Sequence, residues 1–152
     1  MSRAFVKEVE GVEDLPDRPI SDLPNDVTAE GLRQIERALD AAQAAQAAAQ
    51  SGGDPTSLAG ARRDVRYWSA RRATARVIAQ PADNSAVRFG HTVTIVREDD
   101  RRQTFRIVGE DEADPAQGTI SHASPLARAL FGKGVGDTIV IAGGEAEIVE
   151  IR

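Results

Sequence analysis

The hydrophobic period changes once along the chain, and this change constrains the fold more than any other feature. Before the segment "PADN" at residues 81–84, apolar residues recur at intervals of three and four; beyond it, they recur at intervals of two. The first spacing places side chains on one face of a helix, and the second on one face of a strand. The sequence therefore predicts an α+β chain in which helices precede a small antiparallel sheet.

The helical region consists of two series separated by the segment "SGGDPTS" at residues 51–57. Thr28 is placed to cap the first helix. Two helices of roughly 22 residues, about 33 Å each, joined by a short glycine-rich turn predict an antiparallel hairpin, or coiled coil, over residues 27–80. The apolar series are Leu32, Ile35, Leu39, Ala42 and Ala49, then Leu58, Ala61, Val65, Trp68 and Ala75.

Residues 1–26 contain three prolines and little periodicity, which predicts an extended arm before the hairpin. Residues 81–152 form the predicted β domain. Its strands are expected in "VRFGHTVTIVRED", "QTFRIVG" and "DTIVIAGGEAEIVEIR", with Gly143-Gly144 as a two-residue hairpin turn. Ser124 and Pro125 are typical of a helix start and predict one short helix that stops at Gly132.

Composition excludes several classes of function. The 152 residues include no cysteine and two histidines, which rules out disulfides, thiolate metal sites and a histidine-built metal centre. A net charge of −5 does not indicate a general nucleic-acid binder. No apolar run reaches the ~20 residues of a membrane span, and the N-terminal segment has no apolar signal core. A cytoplasmic protein is expected.

Four motifs of the second half occur together in one order: "FGHTVTIV", "TFRIVGEDEAD", "ISHASPLARALFGKGVGD" and "GGEAEIVEI". With "VTAEGLRQIE" near the hairpin start, they resemble the GreA/GreB family of bacterial transcript-cleavage factors over residues 27–152. The resemblance implies an FKBP-like C-terminal domain that grips RNA polymerase at its secondary channel, and a hairpin that enters the channel. It also implies an accessory factor, expected to be a monomer, rather than a free-standing enzyme.

Acids at the hairpin tip of cleavage-competent family members help hold a Mg²⁺ ion in the polymerase active site; no cofactor of its own is expected for this chain. Asp54 matches the first acid of the family pattern "GD-x-x-E", whereas Ser57 occupies the position of the second. Asp54 followed by Pro55 is also a standard helix cap, so capping and weak, shared metal presentation both stay open. The arms also look shorter than those of GreA and GreB. We therefore expect weak or absent stimulation of cleavage, as in Rnk-type or inhibitory relatives.

Two further sets of residues are candidates for partner binding. An arginine cluster on the second helix could contact nascent RNA or DNA, or could form a solvated face paired with Glu36 or Asp40. By resemblance, the Ser-Pro loop and the acidic turn near residue 111 are expected to contact RNA polymerase, although Ala123 replaces a polar residue often found before the Ser-Pro pair. The candidates are Arg62, Arg63, Arg66 and Arg71 for nucleic acid, and Ser124, Pro125, Asp111 and Glu112 for polymerase.

Two functions of other classes stay open at this stage. The implied FKBP-like fold suggests a peptidyl-prolyl isomerase, but aromatic residues are only 4% of the chain, and Tyr67 and Trp68 belong to the hairpin. An aromatic proline pocket in the β domain is therefore not expected. An adaptor that binds a protein outside transcription is the other alternative.

Overall fold

A computed structural model describes residues 14–152; the part of the predicted arm at residues 1–13 lies outside the described residues. Two long helices, α1 (Ala29–Gly52) and α2 (Pro55–Thr74), form the predicted hairpin. They contain 24 and 20 residues, close to the predicted length. The Thr28 hydroxyl accepts a hydrogen bond from the Gly31 N–H at 3.0 Å, which confirms Thr28 as the cap of α1.

The buried face of α1 follows the predicted series. Ile35, Leu39, Ala42 and Ala49 are all buried, and Leu32 is half-buried. On α2 the aliphatic and aromatic positions are half-buried, and Ala59 and Ala61 are the alanines that are fully buried there. An alanine-rich helix offers small side chains, so the hairpin buries little apolar surface per turn.

The chain divides into two compact units, and each is described by itself. Among the described residues, one contains residues 14–22 and 33–74; the other contains residues 23–32 and 75–152. Residues 23–32 belong to the second unit because strand β1 (Asp26–Val27) pairs in parallel with strand β2 (Arg76–Val77). The sequence did not predict these two short strands, which lie on either side of the helices along the chain.

The second unit contains a five-stranded sheet. Its strands are β3 (Thr92–Arg97), β4 (Arg102–Val108), β5 (Thr119–Ser121), β6 (Thr138–Ile141) and β7 (Gly144–Ile151). Their spatial order is β5-β4-β3-β7-β6. All neighbours are antiparallel except β4 and β5, which are parallel. The predicted antiparallel arrangement holds for three of the four neighbouring pairs. The pair β4–β5 differs, because the segment 109–118 returns the chain to start β5 in the same direction as β4.

The core of this unit lies between the sheet and helix α3 (Pro125–Leu130). The period of two places alternate residues from 87 to 95 on one face. All five of these residues are buried, although the first three precede β3. Leu130 and Ala127 of α3 pack into the same core. The shared face consists of Val87, Phe89, His91, Val93 and Ile95.

The last hairpin differs from its prediction by one residue. Ile141 pairs with Gly144, so the two-residue turn is Ala142-Gly143 rather than Gly143-Gly144. Gly143 has φ of 92° and Gly144 has φ of 121°, both positive. Both glycines are therefore needed, but the second already belongs to β7. None of the helices described in residues 14–152 is long and apolar enough to cross a membrane.

Candidate functional site

The hairpin tip presents Asp54 as the cap of α2. Its Oδ1 accepts the Thr56 N–H at 3.2 Å, and its Oδ2 accepts the Ser57 hydroxyl at 2.6 Å. The Ser57 hydrogen bond is the main cause that lowers the pKa of Asp54 below its usual range. Both carboxylate oxygens are thus engaged within the turn, although the side chain is exposed to solvent.

The residues present at the tip do not fit a metal site by themselves. The acids nearest in sequence, Asp40 and Asp64, lie ten or more positions from Asp54. Within residues 14–152, no group of three or more histidine or acidic side chains could hold an ion. Mg²⁺ usually takes one or two carboxylates together with phosphate and water oxygens. Any metal contact by Asp54 would therefore need ligands from a partner.

The arm lies along the arginine face of α2. Arg62 Nη1 is 3.6 Å from Asp14 Oδ1, and Arg66 Nε is 2.5 Å from Asp17 Oδ1. The Arg66 Nη2 also donates to the Leu15 carbonyl at 2.9 Å. Oxygen atoms of the arm therefore already contact the guanidinium groups of two arginines that the sequence predicted to bind phosphates.

A fourth arm residue, Arg18, stacks on the aromatic pair of α2. Its guanidinium carbon lies 3.8 Å from the Tyr67 ring centroid and 5.4 Å from that of Trp68. Arg18 also pairs with Asp64 at 3.3 Å, while Arg63 lies 3.8 Å from the same carboxylate. The arm thus combines acidic and cationic contacts on one helix face.

Arg71 does not belong to this exposed face. Only 2% of its surface is exposed, whereas Arg62, Arg63 and Arg66 are half-buried. A buried guanidinium cannot meet a phosphate backbone without rearrangement. Arg71 is therefore removed from the candidate nucleic-acid residues.

Glu112, predicted to face a partner, instead contacts the start of α1. Its carboxylate accepts the Thr28 N–H at 2.9 Å, the Thr28 hydroxyl, and the Gly109 N–H at 3.1 Å. A Cβ atom at Gly31 would overlap this carboxylate. Four unpaired N–H groups and the helix dipole favour an anion at a helix start. The observed role of Glu112 is therefore structural, and we name these contacts between Glu112, Thr28 and Gly31 the helix clasp.

The neighbouring acids Asp114 and Asp111 lie in different environments. Asp114 caps the 3-10 turn at Pro115–Gln117, where its Oδ1 accepts the Ala116 N–H at 3.1 Å. Asp111 is half-buried. The sequence motif had grouped these acids, but the structure gives each its own environment.

The Ser-Pro loop borders an apolar groove of about 530 Å³. Ser124 caps α3 by accepting the Ala127 N–H at 3.2 Å, as predicted, and Pro125 is exposed beside it. Across the groove, Val140 lies on the edge strand β6 with 76% of its surface exposed. The lining residues are Arg97, Ile120, Ser124, Pro125, Leu126, Val140, Ile141 and Ala142.

The groove has the chemistry of a protein-docking surface. Its walls are mostly aliphatic, and exposed aliphatic residues that gather in one concave patch are typical of interaction sites. Arg97 supplies a cation at one wall; it is held there by Gln103 at 2.7 Å and by the Ala142 carbonyl at 3.0 Å. Among the described residues that line the groove, none is aromatic. It therefore lacks the aromatic walls expected of a proline-isomerase pocket.

Comparison with known proteins relates residues 82–152 of the second unit to a known family. The family model described as transcription elongation factor, GreA/GreB, C-term, matches residues 82–152. Residues 82–152 are therefore similar to the C-terminal domain of the GreA/GreB family. This confirms the resemblance read from the four motifs, and it places the Ser-Pro loop, the groove and Glu112 within the matched domain.

Individual relatives and a solved structure are similar to parts of this chain. Transcription elongation factor GreA of Methylobacterium sp. (strain 4-46) is 52% identical over 71 residues, which cover 43% of this chain and 45% of that protein. GreA of Hyphomonas neptunium is 59% identical over 59 residues, 38% of each chain. The chain thus spans about half or less of the length of these relatives. The crystal structure of GreA factor homolog 1 (Gfh1) of Thermus thermophilus matches with a TM-score of 0.41 and 21% identity, covering 86% of this chain and 99% of that one.

Two features of the structure were not found from the sequence. Val140 alternates with buried neighbours in the predicted strand, but only the strand order shows that β6 is an edge beside α3. The helix clasp joins residues 84 positions apart. A glycine in the first turn of a helix was the one available signal for the clasp, because glycine there is unfavourable without a packing reason.

Proposed function

We propose that this chain is an accessory transcription factor that docks on bacterial RNA polymerase and modulates paused or backtracked complexes. The observation that carries the proposal is the apolar groove beside Ser124 and Pro125 on a GreA/GreB C-terminal domain. The resemblance to this family implies that the domain contacts polymerase. The exposed edge strand and the groove supply an apolar surface for a partner segment.

We propose that the hairpin enters the secondary channel of polymerase. Its tip carries Asp54 but no second acid. Asp54 is bonded within its own turn, and the position of the second acid is a serine that donates to it. Such a tip occupies space in a channel and offers one carboxylate at most. The proposed outcome is weak or absent stimulation of transcript cleavage, as for a competitor of cleaving factors.

The half-buried arginines of α2 support a secondary contact with RNA in the elongation complex. Arg62 and Arg66 meet oxygen atoms of the arm in a geometry that phosphate oxygens can also take. This contact concerns Arg62, Arg63 and Arg66 and excludes the buried Arg71.

The docking part is tested with two valines of similar exposure. Val140 lies in the groove with 76% of its surface exposed; Val135 lies outside the groove residues with 61% exposed. We expect Val140→Asp to weaken binding to the chain's own RNA polymerase at least tenfold, because it places a charge in an apolar contact. A tenfold loss of affinity corresponds to about 1.4 kcal/mol of binding free energy. Val135→Asp should bind as the unmodified chain does.

Binding is measured by the change in fluorescence of a labelled chain titrated with polymerase. Equal affinity of the two variants would show that the groove is not the docking surface. Failure of the unmodified chain to bind polymerase would contradict the proposed function as a whole.

A further inference from the structure

Three observations concern the described part of the arm. Residues 14–25 contain no helix or strand, and their apolar side chains stay exposed, with Leu15 at 38% and Ile20 at 47%. Its ion pairs are also accessible: the Asp14 and Asp17 side chains are 57% and 74% exposed. Exposed ion pairs contribute little each, and a segment with little apolar burial opens at low free-energy cost.

The groups under the arm have the chemistry of a single-strand binding surface. Arg62 and Arg66 meet two carboxylates and one backbone carbonyl, all oxygen acceptors as phosphates are. Beside them, the guanidinium carbon of Arg18 lies over the Tyr67 ring, 3.8 Å from the ring centroid. Surfaces that bind single strands combine cations that track phosphates with aromatic rings on which bases stack.

We propose that residues 14–18 act as a releasable acidic strap, which occupies the α2 surface that single-stranded RNA takes when the strap is displaced. Phosphates replace the two carboxylates, and a base replaces Arg18 on Tyr67. This inference rests on the RNA contact proposed above, but it does not depend on docking through the groove. The strap restricts RNA binding by the free protein, and a polyanion at high local concentration releases it.

The test compares two double variants with the same change of charge. Asp14→Asn with Asp17→Asn removes the strap's acids; Glu145→Gln with Glu147→Gln removes two exposed acids of β7. The probe is a fluorescent single-stranded RNA of about 12 nucleotides. We expect the strap variant to bind roughly 3- to 10-fold more tightly than the unmodified full chain at about 50 mM salt, and the β7 variant to bind as the unmodified chain does.

A third variant identifies the surface. Adding Arg62→Ala and Arg66→Ala to the strap variant should abolish the gain, and raising salt to about 300 mM should reduce it. Equal tightening by both double variants would overturn the strap in favour of net charge alone. Unchanged affinity in the strap variant, with weaker binding after Arg62→Ala and Arg66→Ala in the unmodified chain, would overturn the strap but retain the RNA contact. Absence of RNA binding by every variant would overturn both the strap and the RNA contact. The polymerase titration tests docking through the groove and would not be affected by that outcome.

Discussion

At the scale of single residues, the hydroxyl of Ser57 changes what Asp54 can do. A carboxylate at position 57 would repel Asp54 and leave both acids open to a cation, whereas the serine donates a hydrogen bond at 2.6 Å. The same bond lowers the pKa of Asp54, which therefore stays ionised as the cap of α2. One substitution thus favours helix capping over metal presentation.

His91 is a second residue whose environment restricts its chemistry. The ring is fully buried, its Nδ1 accepts the Arg88 N–H at 2.9 Å, and its Nε2 is 3.1 Å from Asn84 Oδ1. An Nδ1 that accepts leaves Nε2 to donate, so the geometry requires the neutral ring. Burial is the main cause that lowers the pKa of His91.

This environment predicts that acid destabilises the β domain. The unfolded chain takes up a proton on His91 near pH 6.5, while the folded chain resists it, so stability is full above that pH and declines as pH falls below it. In a His122→Gln variant, where His91 is the remaining histidine, the free energy of unfolding in denaturant should be lower at about pH 5.5 than at about pH 7.5. A free energy that does not change between these values would contradict the assignment.

At the scale of elements, the first turn of α1 depends on the helix clasp. Glu112 satisfies the Thr28 N–H and hydroxyl, and the Thr28 hydroxyl in turn accepts the Gly31 N–H. The absence of a side chain at Gly31 allows this approach. A glycine that weakens an isolated helix thus permits the contact that fixes its start.

Two glycine substitutions test the clasp with opposite signs. Gly31→Ala should destabilise the protein by about 1–3 kcal/mol, because its Cβ overlaps the Glu112 carboxylate. Gly60→Ala in α2 meets open space and should stabilise by about 0.5–1 kcal/mol through helix propensity alone. Both are measured by denaturant unfolding followed by circular dichroism. Stabilisation by both substitutions would show that the clasp is not formed.

Elements with strong periodicity could be predicted from the sequence. The face of α1 at Ile35, Leu39 and Ala42, the Thr28 and Ser124 caps and the strands β3, β4, β6 and β7 follow from local spacing and capping chemistry. The predicted turn of the last hairpin lies one residue beyond the observed turn, because two adjacent glycines are compatible with either register.

Features that depend on distant partners could not be predicted in this way. β1, β2 and β5 contain two or three residues each, too few for a period, and are defined by their pairing. The role of Glu112 required knowledge that its loop contacts Thr28. Arg71 carries the same charge as its exposed neighbours, so its burial was not visible in composition or spacing.

At the scale of the whole molecule, a net charge of −5 coexists with a basic face on α2. Acidic residues of the arm pair with arginines on this face and partly neutralise its positive charge. The helices α1 and α2, at 24 and 20 residues, are about 36 Å and 30 Å long. The tip at their end carries one acid, held by its own turn.

The most direct test of the central claim is release of short 3′ RNA fragments from backtracked complexes of the chain's own polymerase. The account predicts little or no release with this chain alone, and slower release when it is added before a cleaving GreA, because it occupies the docking surface without supplying an acid pair. The matched Val140→Asp variant should not slow release. Rapid release by the unmodified chain that Asp54→Ala abolishes would contradict the account.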